Sequence, residues 1–228
     1  MRDIDWRTAA LLCIASTSIP AQAEVSGNLT LVSNYLSYGL SQTEDAPALQ
    51  FSATWSGESG IYASGWASQV DFGEGTHTEL GIYAGYYSAF SDTVSLDWGI
   101  AQFLYEGADH SDDYNYNEVY ATLATALITM GVHYAWDYFG SDADYTVVQV
   151  SKQFSLQDGF ALTLGADYSV TGDENKYSIM GESDCLHYFV RVEKEWRGLQ
   201  WRLSLHDTNM STTETDKARV VAGIGWAF

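Results

Sequence analysis

Histidine, cysteine and carboxylate side chains carry most metal and acid–base chemistry in proteins, and their spacing here supports neither. The five histidines, His77, His110, His133, His187 and His206, include no His-Glu-x-x-His and no i, i+2 pair that would turn two imidazoles toward one metal. Cys185 is the single cysteine after residue 23, so it has no thiol partner for a disulfide. Asp113-Tyr114-Asn115-Tyr116-Asn117 opens like a calcium loop, but Glu118 stands where the turn glycine belongs and Ala124 where the bidentate acid belongs. It reads as a loop entering a strand. No motif singles out one serine as a nucleophile, and the expectation is a protein that is not an enzyme and has no metal or cofactor.

The distribution of charge says more. The bases after residue 23 are Lys152, Lys176, Arg191, Lys194, Arg197, Arg202, Lys217 and Arg219, and six of these eight lie between 191 and 219. Alternation with Val190, Val192, Leu203 and Val220 puts Arg191, Arg202 and Arg219 on the polar face of their strands. The same rule sends Glu79, Asp97, His133, Asp137, Gln149, Asp167 and His206 to that face, which makes all ten the candidate lining of a lumen. Acids on one wall and arginines on the other would set up a transverse field acting on passing ions. A second reading has the arginines paired with Glu193, Glu195 and Asp97 inside a closed, water-poor barrel. Other acids, among them Asp112, Asp113, Asp173 and Glu174, crowd the long loops and read as solvated rims.

These residues need strands to position them. Period-2 alternation dominates from Val25 onward, and no 11-residue window fits a helical period better. In Phe160 to Val170, one face takes Phe160, Leu162, Leu164, Ala166, Tyr168 and Val170, while the other is small or polar. Twelve strands are expected, near 26–40, 48–56, 61–72, 78–89, 94–105, 117–127, 130–138, 145–155, 160–170, 186–195, 200–207 and 217–228. Their links alternate. Short ones fall at Gly57 to Gly60, Phe90 to Thr93, Ile128 to Thr129, Leu156 to Gly159 and Trp196 to Leu199; long ones include Ser41 to Pro47, Glu106 to Tyr116, Thr171 to Cys185 and Thr208 to Asp216. A soluble sandwich has no reason to keep tight turns at one end and long loops at the other. An all-β, antiparallel, up-and-down transmembrane β-barrel does, with the short turns periplasmic.

Trp55, Tyr62, Trp66, Phe72, Tyr86, Trp98, Tyr134, Trp136, Tyr138, Trp201 and Trp226 fall mostly near strand ends and read as girdles at headgroup level. The last strand presents Val220, Ala222, Ile224, Trp226 and Phe228 on one face, an alternating apolar run ending on an aromatic. It reads as an assembly signal for barrel-assembly machinery.

The opening residues differ in kind. Arg2 and Arg7 precede an apolar run from Thr8 to Ala15, and Ala21-Gln22-Ala23 supplies a small-x-small cleavage site. Residues 1–23 are therefore expected to be a signal peptide cleaved after Ala23, and 24–228 the barrel domain. The formal charge of −20, from 30 acids against 10 bases, argues against nucleic-acid binding. No run of 18 apolar residues exists for a helical span.

Residues 25–35, Val-Ser-Gly-Asn-Leu-Thr-Leu-Val-Ser-Asn-Tyr, with Gly39-Leu40-Ser41-Gln42-Thr43 and Pro47-Ala48-Leu49-Gln50, resemble the opening of the TorF-family porins. Ser59 to Ser68, Val70-Asp71-Phe72 and Glu79 to Tyr86 extend the resemblance to about residue 90. It implies an exported outer-membrane barrel with a pore. Asn34 stands where that family usually has an acid and Tyr38 where it has an arginine, so a lumen pair formed by those two would be missing here.

Together these readings predict an outer-membrane channel for passive diffusion of small solutes or ions, favouring cations, with outer-membrane lipid and lipopolysaccharide as partners. The alternatives are a non-conducting structural or adhesive barrel and a barrel hydrolase.

Overall fold

The structure, a computed structural model, describes residues 23–210 and 217–228. The expected signal segment before Ala23 lies outside the described residues, as does most of the loop following Met210. Twelve antiparallel strands form the wall. They are β1 (Glu24–Val32), β2 (Ala48–Ser56), β3 (Ile61–Gln69), β4 (Thr78–Ser91), β5 (Val94–Glu106), β6 (Tyr116–Ala124), β7 (Thr129–Ala135), β8 (Tyr145–Ser155), β9 (Phe160–Thr171), β10 (Asp184–Trp196), β11 (Leu199–Thr208) and β12 (Arg219–Ala227). Each pairs with its sequence neighbour, and β12 pairs with β1, as in Leu29 opposite Trp226, to close the ring. Closure leaves no open edge, so the ladder satisfies the backbone throughout, as a bilayer requires.

Burial is inverted relative to a soluble protein. In β3 the pattern alternates strictly, with Ile61, Ala63 and Gly65 facing out and Tyr62, Ser64, Trp66 and Ser68 facing in. The outer wall carries Ile82, Ile100, Val119, Val132, Val148, Leu164, Val190, Leu203 and Leu205, a continuous apolar surface suited to hydrocarbon. Val220, Ala222, Ile224 and Trp226 of β12, and Phe228 just past its end, all lie on the outward parity.

Three aromatics expected in the girdles belong inside instead. Tyr62, Trp66 and Tyr138 are buried, the first two because Ser64 and Ser68, on the same parity, mark that face of β3 as the polar one. Phe72 leaves its strand and packs on Tyr105, Tyr114 and Phe139. Trp55, Trp98, Trp201 and Trp226 remain outward beside the short turns, Trp196 joins them there, and Trp136 is outward near the opposite end.

Four strand ends also fall three or more residues short of expectation, β3 at Gln69 and β6 at Ala124 among them. β1 stops at Val32 rather than near residue 40, and β7 stops at Ala135, which leaves Asp137 in a loop. After Val32 the chain turns into the barrel and makes a two-stranded ribbon, Leu36–Ser37 against Leu40–Ser41. Tyr38 and Gly39, at φ 48° and 86°, form the left-handed pair that a tight hairpin turn demands.

Candidate functional site

Among the described residues the lumen wall carries five buried carboxylates, and each has its own partner. On β4, Glu79 accepts a hydrogen bond of 3.0 Å from the Tyr105 hydroxyl of β5. Asp97 accepts one of 2.8 Å from Tyr62, whose hydroxyl also meets that of Tyr120. Glu118 lies 2.7 Å from His133 Nδ1, and His133 Nε2 is 3.1 Å from the Gln149 amide. Asp167 lies 2.7 Å from His187 Nδ1. Glu193 accepts from Arg202 Nε at 2.8 Å. A carboxylate removed from water is tolerated only with such partners.

The longest connection runs through two imidazoles. His187 Nε2 is 3.0 Å from His206 Nδ1, and His206 Nε2 is 2.8 Å from the Ser204 hydroxyl. One set of neutral tautomers links every member: the Ser204 hydroxyl donates to His206 instead of to the Val221 carbonyl at 3.4 Å, His206 donates through Nδ1 to His187, and His187 donates through Nδ1 to one oxygen of Asp167. The relay binds β9, β10 and β11 from inside. Arg191, one step along, lays its guanidinium over the Phe189 ring at 4.8 Å.

In a ring of twelve strands, those six apart face each other. Glu79 on β4, Asp97 on β5 and Glu118 on β6 therefore face the strands of Arg191, Arg202 and Arg219. Asp167 does not take the expected place across from the arginines. It sits on β9, next to the arginine wall, where His187 engages it. Arg219 lies at the mouth and holds Asp45 of the inward segment at 2.7 Å. That guanidinium keeps the Asp45 carboxyl below the usual carboxylate range, against a smaller opposing effect of burial. Asp137, off the end of β7, accepts the Asp142 backbone N–H in an exposed loop and is not part of the inner wall.

Residues 33–47 cross the lumen. Tyr35 packs edge-on against Trp66, and Tyr38 does so against His133. Gly39 reaches the far side, where a Cβ would come within 2.7 Å of the His187 ring and 2.8 Å of the Thr208 methyl, so only glycine fits. Burial, reinforced by the Glu118 charge, holds the Tyr38 phenol well above its ordinary range. At the same end Phe72, Tyr105, Tyr114, Tyr116, Tyr138 and Phe139 stack into one aromatic cluster.

Sequence reasoning did not single out Glu118, His187, Tyr62 or Tyr105 for this wall. Glu118 shares parity with Tyr116 and Tyr120, and His187 stands four residues before Arg191, so alternation carried both. The inward turn after Val32 had a weaker signal, the Tyr38-Gly39 pair.

Compared with known proteins, residues 16–222 match the model of a family described as "Bacterial protein of unknown function (Gcw_chp)". No curated protein matches the chain. Among solved structures, the KdgM porin is similar at a TM-score of 0.57 and 12% identity, over 89% of this chain and 99% of that one. The "KdgM porin in complex with disordered oligogalacturonate" gives 0.54 at 10% identity, over 90% of this chain and 98% of that one. The NanC porin gives 0.52 at 10%, again over 90% and 98%. At such identity the likeness concerns the fold.

Proposed function

From the premise that this chain belongs to the Gcw_chp family of bacterial proteins of unknown function, we propose that it is a porin-like channel of the bacterial outer membrane. It passes small solutes or ions by diffusion. The observation that carries this reading is the contrast between the two faces of one wall: apolar outside, and inside lined by five buried carboxylates against Arg191 and Arg202, with histidines and hydroxyls between. A lumen lined in this way offers a permeating ion the polar partners that it loses from water.

The excess of acids supports a preference for cations. Outer-membrane lipid and lipopolysaccharide surround the barrel in this reading, and the outward run from Val220 to Phe228 serves as the signal to the assembly machinery. Export rests on the segment ending at Ala23. The barrel fold shared with the KdgM and NanC porins supports the channel reading, and the TorF-family resemblance of residues 25–90 agrees with it.

One observation favours a second reading. Segment 33–47 touches both the His133 and His187 sides of the lumen, as a non-conducting structural barrel would require. Current through refolded protein in a planar bilayer, with its reversal potential in a salt gradient, separates the two. A steady cation-selective current supports the channel, and a silent, fully folded barrel sinks it.

A further inference from the structure

We infer that the outer wall carries a binding site for anionic phospholipid headgroups at the turn end of β8, β9 and β10. The inference rests on the membrane reading above and adds a partner to it. Lys152 and Lys194 occupy outward positions in their strands, between Val150 and Phe154 and between Val192 and Trp196. Outward parity means lipid, where a midplane lysine costs about 2 to 4 kcal/mol and one at the interface about 0 to 1. Both amines solve this by reaching toward one turn. Lys152 Nζ lies 5.5 Å from the centre of the Phe154 ring and Lys194 Nζ 4.3 Å from that of Phe160, the two rings flanking the turn at 156–159. Arg197, in the adjoining β10–β11 turn, lies 4.6 Å over Trp196.

This is how cationic side chains snorkel, with the stem along apolar surface and the head at the level of the interfacial aromatics. None of the three makes an ion pair among the described residues. Asp158 lies on the first of these turns and Glu195 stands exposed just before the second, so three cations meet two acids and the sector stays net positive. Elsewhere at this end the 57–60 turn carries Glu58, the 92–93 turn carries Asp92, and the 125–128 turn carries no charge. In a chain of formal charge −20, three lipid-side cations gathered in one sector are a local reversal of sign. Phosphate on a lipid headgroup, in the leaflet that this end meets, is the anion that such a sector can reach. A guanidinium and two ammoniums supply the donors for it.

The test is refolding into phosphatidylcholine vesicles that contain one-third phosphatidylglycerol, with either lipid brominated in turn to quench the outward tryptophans. The wild type should be quenched by brominated phosphatidylglycerol beyond its share of the bilayer. The triple variant Lys152→Gln/Lys194→Gln/Arg197→Gln should lose that preference by about tenfold or more in relative binding, given roughly fivefold per interfacial cation. The double variant Lys176→Gln/Lys217→Gln, at the opposite end, should keep it. Equal preference in the wild type and triple variant, or equal loss in both variants, overturns the site. A chain that forms no barrel in either lipid overturns the membrane reading as well, and the two failures are told apart by heat-modifiable migration on a gel.

Discussion

His187 and His206 lie parallel, their ring planes 2° apart, with Nε2 of the first 3.0 Å from Nδ1 of the second. Neighbouring strands would place two imidazoles at this distance only as competitors for one proton unless each end of the pair were fixed. Asp167 fixes one end and Ser204 the other. Asp167→Ala should therefore release the whole relay, leaving His187 buried with an orphaned Nδ1–H, and should cost about 1 to 3 kcal/mol. Urea unfolding of the vesicle-embedded barrel reads this directly. A midpoint equal to that of the wild type would mean that the relay contributes nothing to holding β9 to β11 together.

Segment 33–47 stands across the path of any permeating ion. Replacing Leu36–Ser41 with two glycines removes Tyr38 and the turn that reaches His187, while leaving the closed wall untouched. Single-channel conductance should rise by roughly twofold or more, since the narrowest part of a pore sets its resistance. If the shortened barrel folds and its conductance is unchanged, the ribbon does not lie in the path.

How far the molecule could be read from its residues follows from which interactions have a local period. Strand number, turn alternation and the inward parity of Glu79, Asp97, Arg191 and Arg202 all follow from a repeat of two. Residue type alone misleads where parity does not: Tyr62 and Trp66 look like interfacial anchors, yet Ser64 and Ser68 put their face toward the lumen. The pairing of Asp167 with His187, rather than its standing across from the arginines, depends on which strands adjoin in the ring. The turn of residues 33–47 into the lumen is set by contacts with β3, β7 and β10, far away in sequence. Only Tyr38-Gly39 marked it locally.

Asp45 and Arg219 latch that segment to the rim. Arg219 depresses the Asp45 pKa in the folded state, so the latch is at full strength above the ordinary aspartate pKa of about 4. It weakens as the pH falls through the lowered value, when the carboxyl takes up a proton. Hydrogen exchange of residues 42–46 should therefore show protection at pH 5 or 6 and lose it only at pH below about 4. Asp45→Asn should show the unlatched pattern at every pH. If protection in the wild type disappears between pH 7 and 5, another group controls the segment.

Turn length assigns the two ends of the barrel. Glu58 sits on a short turn and Asp112 on a long exposed loop, so the two should lie on opposite sides of the membrane. In a Cys185→Ser background, Asp112→Cys should react with an impermeant thiol reagent on intact cells and Glu58→Cys only after lysis. Cys185, the single cysteine after residue 23, is a free and buried thiol, and its replacement leaves the introduced cysteine as the one thiol there to label. Labelling at position 58 but not at 112 would invert the topology and move the cationic sector at Lys152, Lys194 and Arg197 to the other leaflet.

Arg202 offers the sharpest test of the lumen charges, because its partner is known. Its guanidinium binds Glu193 at 2.8 Å near the turn end of the barrel, on the strand facing that of Asp97. Arg202→Gln removes one positive charge from the wall and should move the reversal potential toward cations without unfolding the barrel. Arg202→Glu goes further in charge but sets a second carboxylate against Glu193, and part of its effect should be lost to proton uptake by that pair and to a weaker barrel. Combining it with Glu193→Arg restores the pair and the net charge together. Selectivity and stability of the swapped barrel should then return toward wild type. If the glutamine variant carries current with an unshifted reversal potential, Arg202 lies outside the field felt by the ions, and the paired arginine serves only to fasten β10 to β11.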